Sequence, residues 1–262
     1  MKNDSLWYRN RGLDKMEERF GDTPIQKFIK KRIKTKDVVK VMELGFGEGR
    51  CLLELRALFP EVEYFGVNDK EKGNMHSRSD FYKNARKFGL KLSKKNMPKP
   101  SFYDAGDGLH FDSNSLDLIM SQVAFHYVGN KVKLIEEMWR VLKPGGRAFL
   151  HIDALPKDNY PDFMKFNLET PRFLIYDNDK LIKLSTYLGK IKKRGYDLKL
   201  RNASNNEDQR ILLLTKNTRK KLDLGLQFDA NSTLYLTQMR GVDSYKTDGG
   251  VWWGTRSVYQ VK

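Results

Sequence analysis

The stretch Val41-Met42-Glu43-Leu44-Gly45-Phe46-Gly47-Glu48-Gly49 constrains this 262-residue chain more than any other. Val38 to Leu44 reads as a buried strand carrying an acid, Glu43, near its end. Three glycines follow at alternate positions, and Arg50 to Phe59 then has a helical pattern. Glycines there let the backbone turn sharply and come close to a ligand. A helix N-terminus adds unpaired amides. The dinucleotide fingerprint G-x-G-x-x-G differs, because here the third glycine comes one residue early and position 50 is Arg. The Lys-Ser/Thr pair of a phosphate loop is absent. Glu43 is awkward beside a pyrophosphate and suits an ammonium group. A ligand with an aminoacyl end and a nucleoside end fits best.

The segments around this loop alternate. Val62 to Asn68, Ser101 to Ala105, Leu116 to Gln122 and Arg147 to Asp153 read as strands. Glu71 to Phe88 and Lys131 to Leu142 read as helices, and Lys143-Pro144-Gly145-Gly146 as a turn. Strands joined by helices predict a parallel α/β sheet covered on both faces. Residues 154–177 hold three prolines and read as an irregular insertion. Asp179 to Arg194 reads as a helix ending at Gly195. Tyr196 to Arg201 and Arg210 to Lys216 read as a hairpin across a turn-rich stretch at 203–208. Upstream, Thr23 is the expected cap and Pro24 the first residue of a helix carrying Ile25, Phe28, Ile29 and Ile33. The expected organisation is an N-terminal arm and basic helix over 1–37, a main domain over 38–217, and an extension over 218–262.

Charge is uneven along this frame. Residues 1–40 carry a net +6, residues 41–153 a net +2 and residues 154–262 a net +8. Basic flanks attract acidic partners such as RNA, although a Lys-rich solvated surface accounts for them equally simply. Lys83, Arg86, Lys87, Lys91, Lys94, Lys95 and Lys99 form a further basic run, read first as a solvated face. Cys51 is the single cysteine, so no internal disulfide framework exists. The polar N-terminus shows no signal-peptide h-region, and no apolar run has the length of a membrane span. A cytoplasmic protein is the expectation.

The blocks resemble those of the class I S-adenosylmethionine-dependent methyltransferases over about residues 38–153. Glu43 with Gly45, Phe46, Gly47 and Gly49 is similar to that family's first motif. Gly66-Val67-Asn68-Asp69 stands where the family places an acid against the ribose, so Asn68 or Asp69 takes that role. Tyr103-Asp104-Ala105 resembles the segment that sets an Asp near the adenine amine, with Asp107 as a rival. Ser115 to Gln122, followed by Phe125-His126-Tyr127-Val128, resembles the fourth-strand block. Arg140-Val141-Leu142-Lys143-Pro144-Gly145-Gly146 resembles the block before the fifth strand. The resemblance implies a Rossmann-like seven-stranded, mostly parallel sheet with helices on both faces and a terminal antiparallel hairpin. It implies S-adenosylmethionine as cofactor, held by Glu43, Gly45, Phe46, Gly47, Gly49, Asn68, Asp69, Asp104, Ala105 and Gln122. In many relatives an arm like the one with Trp7, Tyr8, Arg9 and Arg11 closes over the cofactor, and the simpler reading is an aromatic anchor packed on the domain.

Methyl transfer from a sulfonium needs positioning and exclusion of water more than a fixed catalytic signature. His126 and Tyr127, just past the fourth strand, are the candidates for a base or substrate contact. His110 reads as loop structure and His151 as strand structure. Cys51 is badly placed for a covalent pyrimidine adduct. An Asn/Asp-Pro-Pro-Tyr motif is missing, and no spacing suits a metal. Trp252 and Trp253 read as an anchor for the extension, with base stacking as the alternative. Four functions compete. They are a methyltransferase for a small molecule, an RNA methyltransferase using the basic flanks, a weakly active cofactor-binding partner subunit, and another S-adenosylmethionine reaction on the same fold.

Overall fold

In the computed structural model, which describes residues 11–22, 24–35, 38–69, 77–122, 124–125, 128–152, 175–178, 180–204 and 206–232, the alternation builds one large sheet. Two helices come first, α1 (Leu13–Phe20) and α2 (Pro24–Ile33). Then follow β1 (Lys40–Leu44), α3 (Arg50–Leu58), β2 (Glu63–Asn68), α4 (Arg78–Lys87), β3 (Lys99–Phe102), β4 (Leu116–Ser121), α5 (Lys131–Val141) and β5 (Leu142–His151). A small hairpin, β6 (Ile175–Asp177) and β7 (Lys180–Ile182), precedes α6 (Leu184–Lys193), β8 (Asp197–Ala203) and β9 (Asn206–Thr215). The seven strands lie in the order β3-β2-β1-β4-β5-β9-β8. The first five run parallel, and β9 and β8 add antiparallel. This is the expected Rossmann-like fold.

Both faces are covered. All six residues of β4 are buried, as a central parallel strand requires. Side chains alternate between two cores. Met42, Ile119, Leu150 and Leu212 pack with α5 and α6. Val41, Leu118, Met120 and Phe149 pack with α1 to α4. Trp139 of α5 is 1% exposed, sets its ring edge-on to Tyr196 at 4.8 Å, and donates its indole N–H to the Lys220 carbonyl at 2.8 Å. That bond pins the segment after β9 to the domain. Trp139→Phe is expected to lose roughly 1–3 kcal/mol, from the bond and the space left behind, in urea unfolding.

Several elements differ from expectation. The segment at 11–20 is not merely a polar arm: it forms α1, whose Leu13, Met16 and Phe20 are buried in the same core as α3. Thr23 lies outside the described residues. The buried Glu17 accepts the N–H groups of Ile25 and Gln26 at 3.1 and 2.8 Å, which caps α2 from a distance. The α6 helix starts at Leu184, because Asn178 takes a left-handed φ of +49° and closes the β6–β7 hairpin first. The expected turn at 143–146 is a bulge within β5. Leu116 pairs with Leu142 and Leu118 with Arg147, so the intervening residues bow out to bond the backbone of Lys216. The β8–β9 strands run through most of the turn-rich stretch, with a register shift at Asn202/Ala203. No helix among the described residues is long and apolar enough to cross a membrane.

Candidate functional site

The strand order reverses between β1 and β4, the place where open α/β sheets hold ligands beyond the carboxyl ends of their strands. The glycine loop leaves β1 there. Gly45, Gly47 and Gly49 have φ of +72°, +55° and +76°, the left-handed region that glycine enters freely. Gly45 donates its N–H to the Val67 carbonyl at 2.7 Å, which ties the loop to β2. A Cβ at Gly45 would stand 2.0 Å from the Ala124 Cβ, so the segment after β4 packs directly on the loop. Gly49 is the N-cap of α3, and a Cβ there would enter the Phe81 ring.

Buried polar groups gather around this loop. Glu43 is 2% exposed, and its Oε2 has no hydrogen-bond partner among the described residues. Burial pushes its carboxyl well above the usual carboxylate range, Arg11 draws it partly back, and Glu54 adds to the rise. In the register of β1 with β4, Leu44 faces Ser121. The Ser121 hydroxyl and both polar atoms of the Gln122 amide are buried without partners among the described residues. Buried polar groups are normally satisfied. Unmet ones on Glu43, Ser121 and Gln122, at the ends of two adjacent strands, fit a ligand that brings both donors and acceptors. An ammonium group placed beside Glu43 would meet its unpaired carboxyl oxygen.

The other expected residues fall around the same sheet end. Asn68 closes β2, is buried, and accepts the Tyr103 N–H on its backbone carbonyl at 2.9 Å. Asp69 follows, half-buried. Asp104 caps a short 3-10 turn, Ala105–Asp107, by accepting the Gly106 N–H at 2.7 Å. Ala105 is buried, whereas Asp104 and Asp107 are exposed. Phe46 is different: its ring packs over the bare Gly66, stacks on Phe81 at 5.3 Å and meets Phe102 edge-on at 6.1 Å. Its side chain is core, which leaves only its backbone to face a ligand. His126 and Tyr127 lie outside the described residues, as do Trp7, Tyr8 and Arg9, Trp252 and Trp253, and all of the 154–177 insertion but its last three residues.

Some roles become plain. His110 stacks on Tyr103 at 3.9 Å and is loop structure. His151 is buried in β5. Cys51 is buried with its thiol 3.7 Å from the Met16 sulfur, and burial pushes its pKa well up, so it is an inert core group. No group of three metal-ligating residues occurs among the described residues. Two contributors carry little signal of their own in the sequence. Ser121 reads there only as part of its strand. Arg11 reads as one residue of an arm, but its guanidinium stands 3.1 Å from where a Gly47 Cβ would be.

Residues 42–150, less than half of the chain, match the family model described as "Methyltransferase domain". Among solved structures, the chain is similar to the CurJ carbon methyltransferase, with 14% identity over 74% of this chain and 53% of that one and a TM-score of 0.48. It spans about half of that relative's length. A Methanosarcina mazei S-adenosylmethionine-dependent methyltransferase has 16% identity over 74% and 97% of the two chains, with a TM-score of 0.48. A Haloferax volcanii structure, a putative methyltransferase in complex with the Trm112 activator, has 16% identity over 79% and 94%, with a TM-score of 0.44. No curated protein matches the chain.

Proposed function

We propose that this chain, which matches a methyltransferase domain over residues 42–150, is a class I S-adenosylmethionine-dependent methyltransferase that methylates a small-molecule acceptor at the crevice between the ends of β1 and β4. The observation that carries the cofactor assignment is the buried, unpaired Oε2 of Glu43 beside three left-handed glycines. Glu43 would accept from the cofactor's ammonium group. The bare backbone of Gly45, Gly47 and Gly49 would let the ligand approach closely. Asn68 or Asp69 would hold the ribose hydroxyls, and Asp104 with the backbone at Ala105 the adenine edge. Gln122 would turn its unmet amide into the same crevice. When bound, S-adenosylmethionine supplies an electrophilic methyl group on a sulfonium, open to displacement by an acceptor lone pair. The chain's own task is to orient the two reactants and exclude water. His126 or Tyr127 would take a proton where the acceptor must lose one.

The polar groups around the crevice suit a small acceptor. The described polar residues at this end of the sheet include Glu43, Asn68, Asp69, Asp104, Asp107, Ser121 and Gln122, with Arg11 and Arg50 at the loop. One observation favours an RNA acceptor instead. Tyr82 on α4 carries Arg86 at 5.4 Å and Lys94 at 5.1 Å over its ring, a base-stacking surface flanked by cations. Lys83, Lys87 and Lys99 of the same run are held by Asp80, Glu48 and Glu63.

Methyl-labelled S-adenosylmethionine, incubated with the pure protein and a cell extract, separates the readings. Label in the small-molecule fraction is the expected result. Label in RNA, with binding that falls steeply with salt, overturns the small-molecule reading. Cofactor binding without any transfer favours the partner-subunit role.

A further inference from the structure

A cavity of about 560 Å³ lies at the amino ends of the parallel strands, away from the glycine loop. Its lining comes from Asn114 ahead of β4, from α5, and from the segment after β9. Lys216 is the buried cation of that lining, 4% exposed. The β5 bulge fixes its backbone on both sides. The Lys216 N–H donates to the Gly146 carbonyl at 3.0 Å, and its carbonyl accepts the Gly145 N–H at 2.8 Å. Its ammonium donates to Asn114 Oδ1 at 2.8 Å and to the Arg140 carbonyl at 3.3 Å.

Both acceptors are neutral, and an ammonium has three donors. No carboxylate pairs with Lys216 among the described residues. The two acids that line the cavity are already engaged. Glu137 is paired with Arg140 at 2.7 Å and accepts the Leu109 N–H at 3.0 Å, and Glu136 accepts the Leu224 N–H at 3.1 Å. Arg140 donates further to the carbonyls of Leu109 and Phe111 and to the Ser113 hydroxyl. Lys133, Arg219, Lys220 and Lys221 complete the rim, so six cations face two carboxylates. Burial and the nearby Arg140 guanidinium pull the Lys216 pKa below the usual lysine range, the effect of a positive charge held without a counter-charge. A buried cation in that condition costs free energy that an anion recovers.

We propose that this cavity is a second ligand site, distinct from the methyl-transfer crevice, and that it binds a phosphoryl group. A phosphoryl group brings one or two negative charges and two or three non-bridging acceptor oxygens, the lower numbers for a backbone phosphodiester. It matches one spare donor on a buried lysine and several exposed cations at the rim better than a single carboxylate does. The phosphoryl group belongs either to a free phosphorylated small molecule or to a nucleic-acid backbone.

Inorganic phosphate is the probe. The Tm of the full chain is followed as phosphate replaces chloride at constant ionic strength. A saturable rise in Tm is expected, abolished in Lys216→Met. Because that variant removes a buried bonded group and can fail to fold, R219A/K221A is measured beside it. These two side chains are exposed, so the starting Tm should hold while half-saturation weakens about tenfold. Competition identifies the source. Displacement of phosphate by a 5′-phosphorylated mononucleotide alone marks a free phosphoryl ligand, and displacement by an unphosphorylated single-stranded RNA oligomer marks a backbone. Equal Tm in phosphate and chloride, or an unchanged response in both variants, overturns the site. Displacement by neither competitor means an adventitious ion only and overturns it too. No readout depends on methyl transfer.

Discussion

Glu43→Gln weakens S-adenosylmethionine binding about ten- to a hundredfold, the worth of one charge-assisted hydrogen bond, while it stabilises the ligand-free protein at pH 8. The two effects have one cause. The Glu43 carboxyl is buried with an unpartnered oxygen, and its pKa is raised well above the ordinary 4.5 by burial. The folded chain therefore binds that proton more tightly than the unfolded chain does. Its contribution to stability is complete below pH 4.5 and is lost as pH rises from there toward the raised folded value. Each unit of separation is worth about 1.4 kcal/mol. Glutamine keeps the shape without the charge, so the loss between pH 5 and pH 8 should shrink. A cofactor ammonium reverses the balance, because it meets the carboxylate that water cannot reach. Urea unfolding of both proteins at pH 5 and pH 8, with calorimetric titration of the cofactor, checks this. Equal affinities would remove Glu43 from the ligand site, and an E43Q variant less stable than wild type at pH 8 would contradict the burial argument.

Gly49→Ala is expected to cost about 2–5 kcal/mol of stability, whereas Gly47→Ala costs only about 1–2 kcal/mol. Both residues have positive φ, so both alanines carry the left-handed penalty. Only at Gly49 is space also lacking. An added Cβ would stand 2.1 Å from Cε1 of Phe81, a fully buried ring of α4 that stacks on Phe46. At Gly47 the neighbour is the far end of the Arg11 side chain, which can move aside. Gly47→Ala should therefore stay folded and report on ligand approach, while Gly49→Ala reports on core packing. Thermal unfolding of the two variants separates them. A Gly49→Ala protein as stable as Gly47→Ala would show that Phe81 is not packed on the loop.

The difference between these glycines marks the boundary of what the chain discloses by itself. Local chemistry is legible. Alternating apolar segments announce the parallel strands, because a strand buried on both faces must be continuously apolar. The acid, the three glycines and the helix start announce a ligand loop, because their spacing acts within a few residues. The KPGG block is legible as a break, but not as a β5 bulge, since what it bonds is Lys216, far later in the chain. The α1 helix escapes a reading of the sequence because its buried stripe is short and finds its partners on other elements, α3 among them. Phe46 looks like part of the ligand motif and is core, since Gly66 on the next strand leaves room for its ring. The sequence alone determined the fold class, the place of the loop and the acid beside it, all set by residues near one another in the chain. Only the tertiary structure decided which polar groups are left unpaired: Glu43 with Ser121 and Gln122 at one end of the sheet, and Lys216 without a counter-charge at the other. Burial and pairing depend on strands brought together across the fold, and one-dimensional spacing holds no record of them.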